Sequence, residues 1–206
     1  MKHVKMLGLA VVAAAALMAF VGAGTASATG RLCSTETNPC TSPWATPTTI
    51  DFSLKTGTAA TLKDTSGNTL DSCTGSTVKG TLTSNAAGST PTGTNSQLTW
   101  TGCTVTTDTI LPGGLKIASA GSGAGTVIAD AKIEVTVNVF SSCNYGVESG
   151  TTLGTTNKGT GTGVVFKANA VAKKLNGGFL CPETTKWVAE YVLTEPSNTL
   201  FYVSTS

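Results

Sequence analysis

The chain has 206 residues, of which 40% are hydrophobic, 12% charged and 6% aromatic, with a formal net charge of +2 at pH 7. This balance excludes an intrinsically disordered chain, which combines low hydrophobicity with high net charge, and the length suits one globular domain. Arg31 is the only arginine, and 13 cationic residues nearly balance 11 acidic ones. Because no strongly basic face is expected, we predict neither nucleic acid nor an anionic membrane as a partner.

The N-terminal segment has the three parts of a secretory signal peptide. Lys2 and Lys5 precede an apolar stretch over residues 6–23, and small residues at 26–28 form a cleavage site. We therefore predict that residues 1–28 are removed and that residues 29–206 form a single β domain, secreted and free of the membrane. A retained anchor is the alternative, because the apolar stretch is close to the minimum of about 17 residues for a membrane-spanning helix.

Six cysteines, an even number, all lie in the predicted mature part. An exported protein meets an oxidising environment, so we expect all six to form disulfides. The pairing we favour is sequential: Cys33 with Cys40, Cys73 with Cys103, and Cys143 with Cys181. The first pair would close a short loop in an N-terminal arm, residues 29–47.

Apolar and polar residues alternate with a period of two through most of the mature chain, which is the pattern of half-buried β-strands. The predicted strands are 49–54, 59–63, 76–83, 97–101, 115–118, 125–129, 130–140, 164–172, 186–194 and 199–204. Segment 166–175 is rich in alanine and could be helical, but its alternation fits a strand at least as well. We predict an all-β fold: an antiparallel β-sandwich of roughly ten to twelve short strands, stapled by disulfides, with a closed β-barrel as the alternative.

The segment between Cys73 and Cys103 predicts the register of one hairpin. If the chain turns near the middle of this segment, Val78 lies opposite Leu98 and the two cysteines lie opposite each other. Apolar residues then meet apolar residues across the two strands. Strict alternation leaves both cysteines on the polar face, so we predict a β-bulge at Gly75 that turns them inward.

Four runs of residues around the cysteines are distinctive, at 32–40, 73–80, 98–103 and 179–182, together with Trp187 and Tyr191. They resemble a group of small secreted proteins of actinobacteria that lack an assigned function. The likeness covers most of the predicted mature chain. It implies an extracellular location and an all-β fold, and it implies no activity and no site.

Histidine chemistry is excluded from the mature chain, because the single histidine, His3, lies in the predicted leader. No imidazole is left to act as a catalytic base or to bind zinc, and paired cysteines supply no thiolate. We predict no metal, no cofactor and no catalytic residue. The carboxylates that could form a catalytic pair are Asp51, Asp71, Asp130, Glu134, Glu183 and Glu190.

Trp44 is the binding residue that we predict. It lies between Pro43 and Pro47 and shortly after Cys40, so its loop is stiff, and a rigidly held ring suits a sugar or an apolar group. The alternative is that Trp44 caps the open end of the sandwich.

The function we predict is that of a secreted, non-catalytic binding or structural protein of the cell surface or extracellular medium. A cell-wall or glycan component is the partner class that we consider. Two alternatives stay open, a secreted hydrolase that uses a carboxylate pair and a carrier with a small-ligand cleft between the sheets.

Overall fold

Antiparallel strands account for almost all regular structure in residues 29–138 and 141–205, which are the residues that the computed structural model describes. The predicted signal peptide, residues 1–28, lies outside the described residues. The strands are β1 (Gly30–Cys33), β2 (Thr48–Leu54), β3 (Ala60–Asp64), β4 (Thr69–Ser84), β5 (Thr92–Cys103), β6 (Thr107–Leu111), β7 (Gly114–Gly121), β8 (Ala124–Ala131), β9 (Ile133–Asn138), β10 (Ser142–Val147), β11 (Thr152–Thr156), β12 (Gly159–Thr160), β13 (Val165–Asn176), β14 (Thr184–Glu195) and β15 (Leu200–Thr205). The described residues contain one turn of 3₁₀ helix, Gly161–Gly163, and none of their helical structure is long and apolar enough to cross a membrane.

Every strand predicted from the sequence overlaps an observed strand, but the prediction of one strand over 130–140 is wrong. The chain leaves β8 after Ala131 and enters β9 at Ile133, so Lys132 belongs to neither strand. The break is needed because β8 pairs with β7 and β11, whereas β9 pairs with β6 and β10. Residues 139 and 140 lie outside the described residues. The alanine-rich segment 166–175 is a strand, part of β13.

The fold is all-β and antiparallel, as the sequence predicts, and the described strands form one sheet of 12 and one of 3. Strand β14 is central in the large sheet, because it pairs with β13 along one edge and with both β2 and β3 along the other. The order of pairing runs β14, β3, β4, β5, β7, β8, β11, β13 and returns to β14, while β10, β9 and β6 continue from β13. The two halves of this circuit therefore face each other across one core, as the two sheets of a sandwich do. Hydrogen-bonded strand pairs also connect the two halves.

The small sheet, β1–β15–β12, places the predicted N-terminal arm within the fold. Strand β1 pairs with β15 over its whole length, and Gly123 next to β8 bridges to Val203 of β15. Leu32 of β1 and Phe201 of β15 are fully buried. The arm thus closes one end of the large sheet with apolar side chains.

The hairpin of β4 and β5 has the predicted register and a different irregularity. Cys73 pairs with Cys103, Val78 pairs with Leu98, and the register is continuous between these two pairs, so the prediction of a bulge at Gly75 is wrong. Instead, the alternation of buried and exposed residues switches at the same level in both strands, so that Cys73 and Val78 both point into the core. Gly75 of β4 lies there beside Gly102 of β5, which has a φ of +58°, and a Cβ at either glycine would lie 2.2 Å from a threonine Oγ1 of the opposite strand. A glycine in each strand lets both reverse together, so no extra residue is needed.

Aromatic rings form the centre of the large sheet's core. Phe166 stacks on Tyr191 with ring centroids 5.8 Å apart, and Trp187 meets both rings edge-on. Phe52 and Trp100 extend this cluster from β2 and β5. Offset and edge-to-face contacts are favourable for aromatic pairs, and this chain with few aromatic residues concentrates five of them from four strands in one cluster.

Two buried tyrosines make stability sensitive to alkaline pH. Burial raises the pKa of Tyr191 well above its ordinary value of 10.0, against the hydrogen bond with Ser76, and burial followed by the charge of Glu183 raises the pKa of Tyr145. Each phenol therefore contributes stability that is complete below the unfolded pKa of about 10 and is lost as pH rises toward the folded pKa. We expect the free energy of unfolding to fall above about pH 10, with a smaller fall in Tyr191→Phe. Ionisation of every tyrosine while the circular dichroism remains native would contradict this.

Candidate functional site

Trp44 occupies the position of a core cap. Its side chain is only 5% exposed, its indole N–H donates a hydrogen bond to the Leu200 carbonyl at 2.9 Å, and its ring meets Phe201 edge-on at 5.7 Å. The buried Asn85 fixes the same region, because its side-chain amide donates to the carbonyls of Leu32 and Trp44. The structure thus has Trp44 in the capping position predicted as the alternative, and the ring offers no open face to a ligand.

The six cysteines form the three predicted disulfides, Cys33–Cys40, Cys73–Cys103 and Cys143–Cys181. One of them, with Asp71, makes up the single group of potential metal ligands found among the described residues. Its two sulfurs are bonded to each other and are not thiolates, which are the form in which cysteine binds metal. These three residues lie close together because of the disulfide, and their role is structural.

Asp71 is a buried carboxylate whose oxygens are occupied by hydrogen-bond donors. Oδ1 accepts from the backbone amides of Ser72 at 2.7 Å and Val105 at 3.1 Å and from the Thr104 hydroxyl at 2.8 Å. Oδ2 accepts from the Thr107 hydroxyl at 2.6 Å. Asp71 therefore ties the segment after β5 to β4, and both of its oxygens are engaged in doing so.

The other five candidate catalytic carboxylates each face a lysine. The ion pairs are Lys79–Asp51 (3.0 Å), Lys116–Asp130 (3.9 Å), Lys132–Glu134 (3.2 Å), Lys55–Glu190 (2.9 Å) and Lys174–Glu183. The hydrogen bond from Lys55, and then its charge, lower the pKa of Glu190. A glycosidase-type mechanism needs two carboxyl groups that face a shared substrate. The observed pairing gives the hydrolase alternative no support.

Two small, partly open cavities bear on the carrier alternative. One, of about 40 Å³, lies among Phe52, Val78 and Phe166, and the other, of about 50 Å³, lies among Trp100, Tyr145 and neighbours, with almost wholly apolar walls in both. A cavity that holds benzene has a volume of about 150 Å³. These cavities have room for water, which the buried Tyr145 hydroxyl can use because it has no protein partner, but not for an organic ligand.

The connection between β13 and β14, residues 177–183 and here called the tip loop, presents apolar side chains to solvent. Phe179 is 94% exposed and Leu180 is 52% exposed. The loop is nevertheless held firmly, since Cys181 is bonded to Cys143 of β10 and its amide donates to the Gly178 carbonyl at 3.1 Å. Gly177 is required at the turn because its φ is +135° and a Cβ would lie 2.6 Å from the Cys181 sulfur.

An apolar strip leads along β13 to the tip loop. Of the six large hydrophobic side chains exposed in the described part of the chain, four lie here: Val171 (48%), Leu175 (39%), Phe179 and Leu180. A concentration of exposed apolar side chains on one hairpin is unlike the scattered single residues found on most soluble proteins. The strip is therefore a candidate contact surface.

Lysines flank this strip. Lys186 of β14 pairs with Val171 of β13 on one side and with Lys63 of β3 on the other, and Lys173 follows Val171 on the same face of β13. Among the described residues, no carboxylate lies within ion-pair distance of these three lysines. We call the apolar strip and Lys63, Lys173 and Lys186 together the tip patch.

Comparison of the chain with protein families, with curated proteins and with solved structures finds no match.

Proposed function

We propose that the protein is a secreted, non-catalytic binding protein of the cell surface or extracellular medium, and that the tip loop is the part that contacts its partner. The observation that carries the proposal is the almost complete exposure of Phe179 on a loop fixed by the Cys143–Cys181 disulfide. Large aromatic side chains are the residues that most often anchor interfaces. A loop that is already rigid loses little conformational entropy on binding.

Three disulfides support the extracellular part of this proposal. Disulfides persist in oxidising compartments and are rare in the cytosol. Two of them, Cys33–Cys40 and Cys143–Cys181, restrain surface loops rather than the centre of the sheet. Such restraint suits a protein that works outside the cell, where exposed loops meet proteases.

Replacing Phe179 by alanine is expected to weaken retention on isolated cell envelopes by about tenfold, because the anchor is lost. Envelopes from an actinobacterium are the first choice, since the sequence resemblance points to that group. Stability should be unchanged, because the ring is exposed. Co-sedimentation at several envelope concentrations gives the apparent affinity, and thermal unfolding checks the fold.

The matched control is Ile110→Ala, which removes a 46% exposed apolar side chain on β6, outside the tip patch. It should bind as the unmodified protein does. Equal retention of the unmodified protein, Phe179→Ala and Ile110→Ala would refute the tip loop as the contact.

A further inference from the structure

We propose that the partner of the tip patch is an anionic phospholipid surface, with Phe179 and Leu180 entering the boundary between headgroups and acyl chains. The proposal rests on the proposed function, because it concerns the same loop. Lys63, Lys173 and Lys186 would contact lipid phosphates. The apolar tip matches the acyl-chain region of such a surface, and the lysines behind it match the anionic headgroups.

The apolar half favours a lipid over a glycan. Phe179 and Leu180 form the end of the hairpin, and Leu175 and Val171 continue the apolar strip behind them. Sites for small polar ligands place several hydrogen-bonding groups around the ligand. The tip instead offers adjacent aromatic and aliphatic side chains, which gain free energy simply by leaving water.

The lysines lie at a suitable distance behind the tip. Lys173 is three residues before Asn176, the last residue of β13, which corresponds to about 10 Å along a strand. Interfacial segments bury their apolar face by about 5 to 10 Å. When the tip reaches this depth, Lys173 is level with the phosphates, while Lys63 and Lys186 lie level with Val171, about 7 Å further back and within a Debye length of the surface. Each lysine near the surface contributes about fivefold to affinity.

The charges on the patch argue against a second copy of the chain. In a two-fold contact the same surface faces itself, so the three unpaired lysines would approach one another. The nearby carboxylates offset them only in part, because Glu183 is paired with Lys174 and the charge of Asp64 alone faces those of three lysines. The nearly balanced charge of the whole chain conceals this local excess of positive charge. For that reason the net charge alone predicted no anionic membrane as a partner.

The test is binding of the mature protein to vesicles of equal parts phosphatidylcholine and phosphatidylglycerol, compared with phosphatidylcholine alone. We expect binding to the anionic vesicles that weakens with added salt. Phe179→Ala should reduce it about tenfold. A triple change of Lys63, Lys173 and Lys186 to glutamine should reduce it by more than tenfold and remove most of the salt dependence.

The control for charge is the triple change of Lys79, Lys116 and Lys158 to glutamine, which removes as many cations from ion pairs elsewhere. It should retain binding. No binding to anionic vesicles at low salt, or binding that either patch variant leaves unchanged, overturns the lipid proposal. After such a negative vesicle result, retention on delipidated cell walls decides the proposed function. If retention there depends on Phe179, the partner is a wall polymer and the proposed function stands. If retention there is independent of Phe179, both proposals are wrong.

Discussion

Replacing Trp44 by alanine is expected to lower the free energy of unfolding by about 3 to 5 kcal/mol. The change removes a buried ring that packs edge-on against Phe201 and leaves a cavity at the end closed by the small sheet. It also removes the N–H that donates to the Leu200 carbonyl, so this carbonyl loses its partner. Denaturant unfolding followed by circular dichroism gives the difference directly.

Trp44→Phe separates packing from hydrogen bonding. Phenylalanine keeps most of the apolar contact with Phe201 but cannot donate to Leu200, so we expect a much smaller loss, of about 1 to 2 kcal/mol. A loss below about 1 kcal/mol for Trp44→Ala would be incompatible with a core cap. It would return Trp44 to the list of candidate binding residues.

The register of the β4–β5 hairpin could be predicted because the information is local. Val78 opposite Leu98 and Cys73 opposite Cys103 are matches that appear in a single stretch of chain, and only one register gives them together. The reversal of faces at Gly75 and Gly102 could not be predicted in the same way. The reversal depends on which face of the hairpin is covered by the core above and below these glycines. Strands that are distant in sequence form that core.

The burial of Trp44 could not be predicted, for a similar reason. The stiffness of the loop around Trp44 is visible in its prolines and cysteine, but its burial depends on Leu200 and Phe201, which arrive from the other end of the chain. The same signals surround Phe179. An apolar pair lies between two glycines and a Cys-Pro sequence, and such turn residues on both sides indicate an exposed loop.

Overall charge conceals the lysines of the tip patch. Lys63, Lys173 and Lys186 are separated by up to 123 positions in sequence, and β3, β13 and β14 bring them together only in the sheet. A near-neutral chain is consistent with a local cationic surface whenever its carboxylates are paired elsewhere. Here five carboxylates are paired with lysines away from the tip patch.

Replacing Asp71 by alanine is expected to lower the free energy of unfolding by about 2 to 4 kcal/mol. The loss follows from donors left without an acceptor, which are the Val105 amide and the hydroxyls of Thr104 and Thr107. The Ser72 amide keeps only its longer hydrogen bond to the Thr104 hydroxyl, at 3.2 Å. Hydrogen exchange should identify the cause, because the protection of the Val105 amide should fall. Asp71→Asn should cost less, because its amide oxygen can still accept from the backbone and the Thr107 hydroxyl can turn to accept from its NH₂.

Asp64 provides the matched comparison, because its carboxylate also accepts hydrogen bonds from a following turn. It accepts from the amides of Ser66 and Asn68 and from the Asn68 side chain, and the Asn68 side chain is the main reason that its pKa is lowered. Its turn is exposed, however, so water replaces the carboxylate when Asp64 is changed to alanine, and a much smaller loss is expected. Equal losses for Asp64→Ala and Asp71→Ala would show that burial does not make Asp71 important. A large loss at Asp71 alone would show that this buried carboxylate, beside the Cys73–Cys103 disulfide, holds the chain after β5 against the sheet.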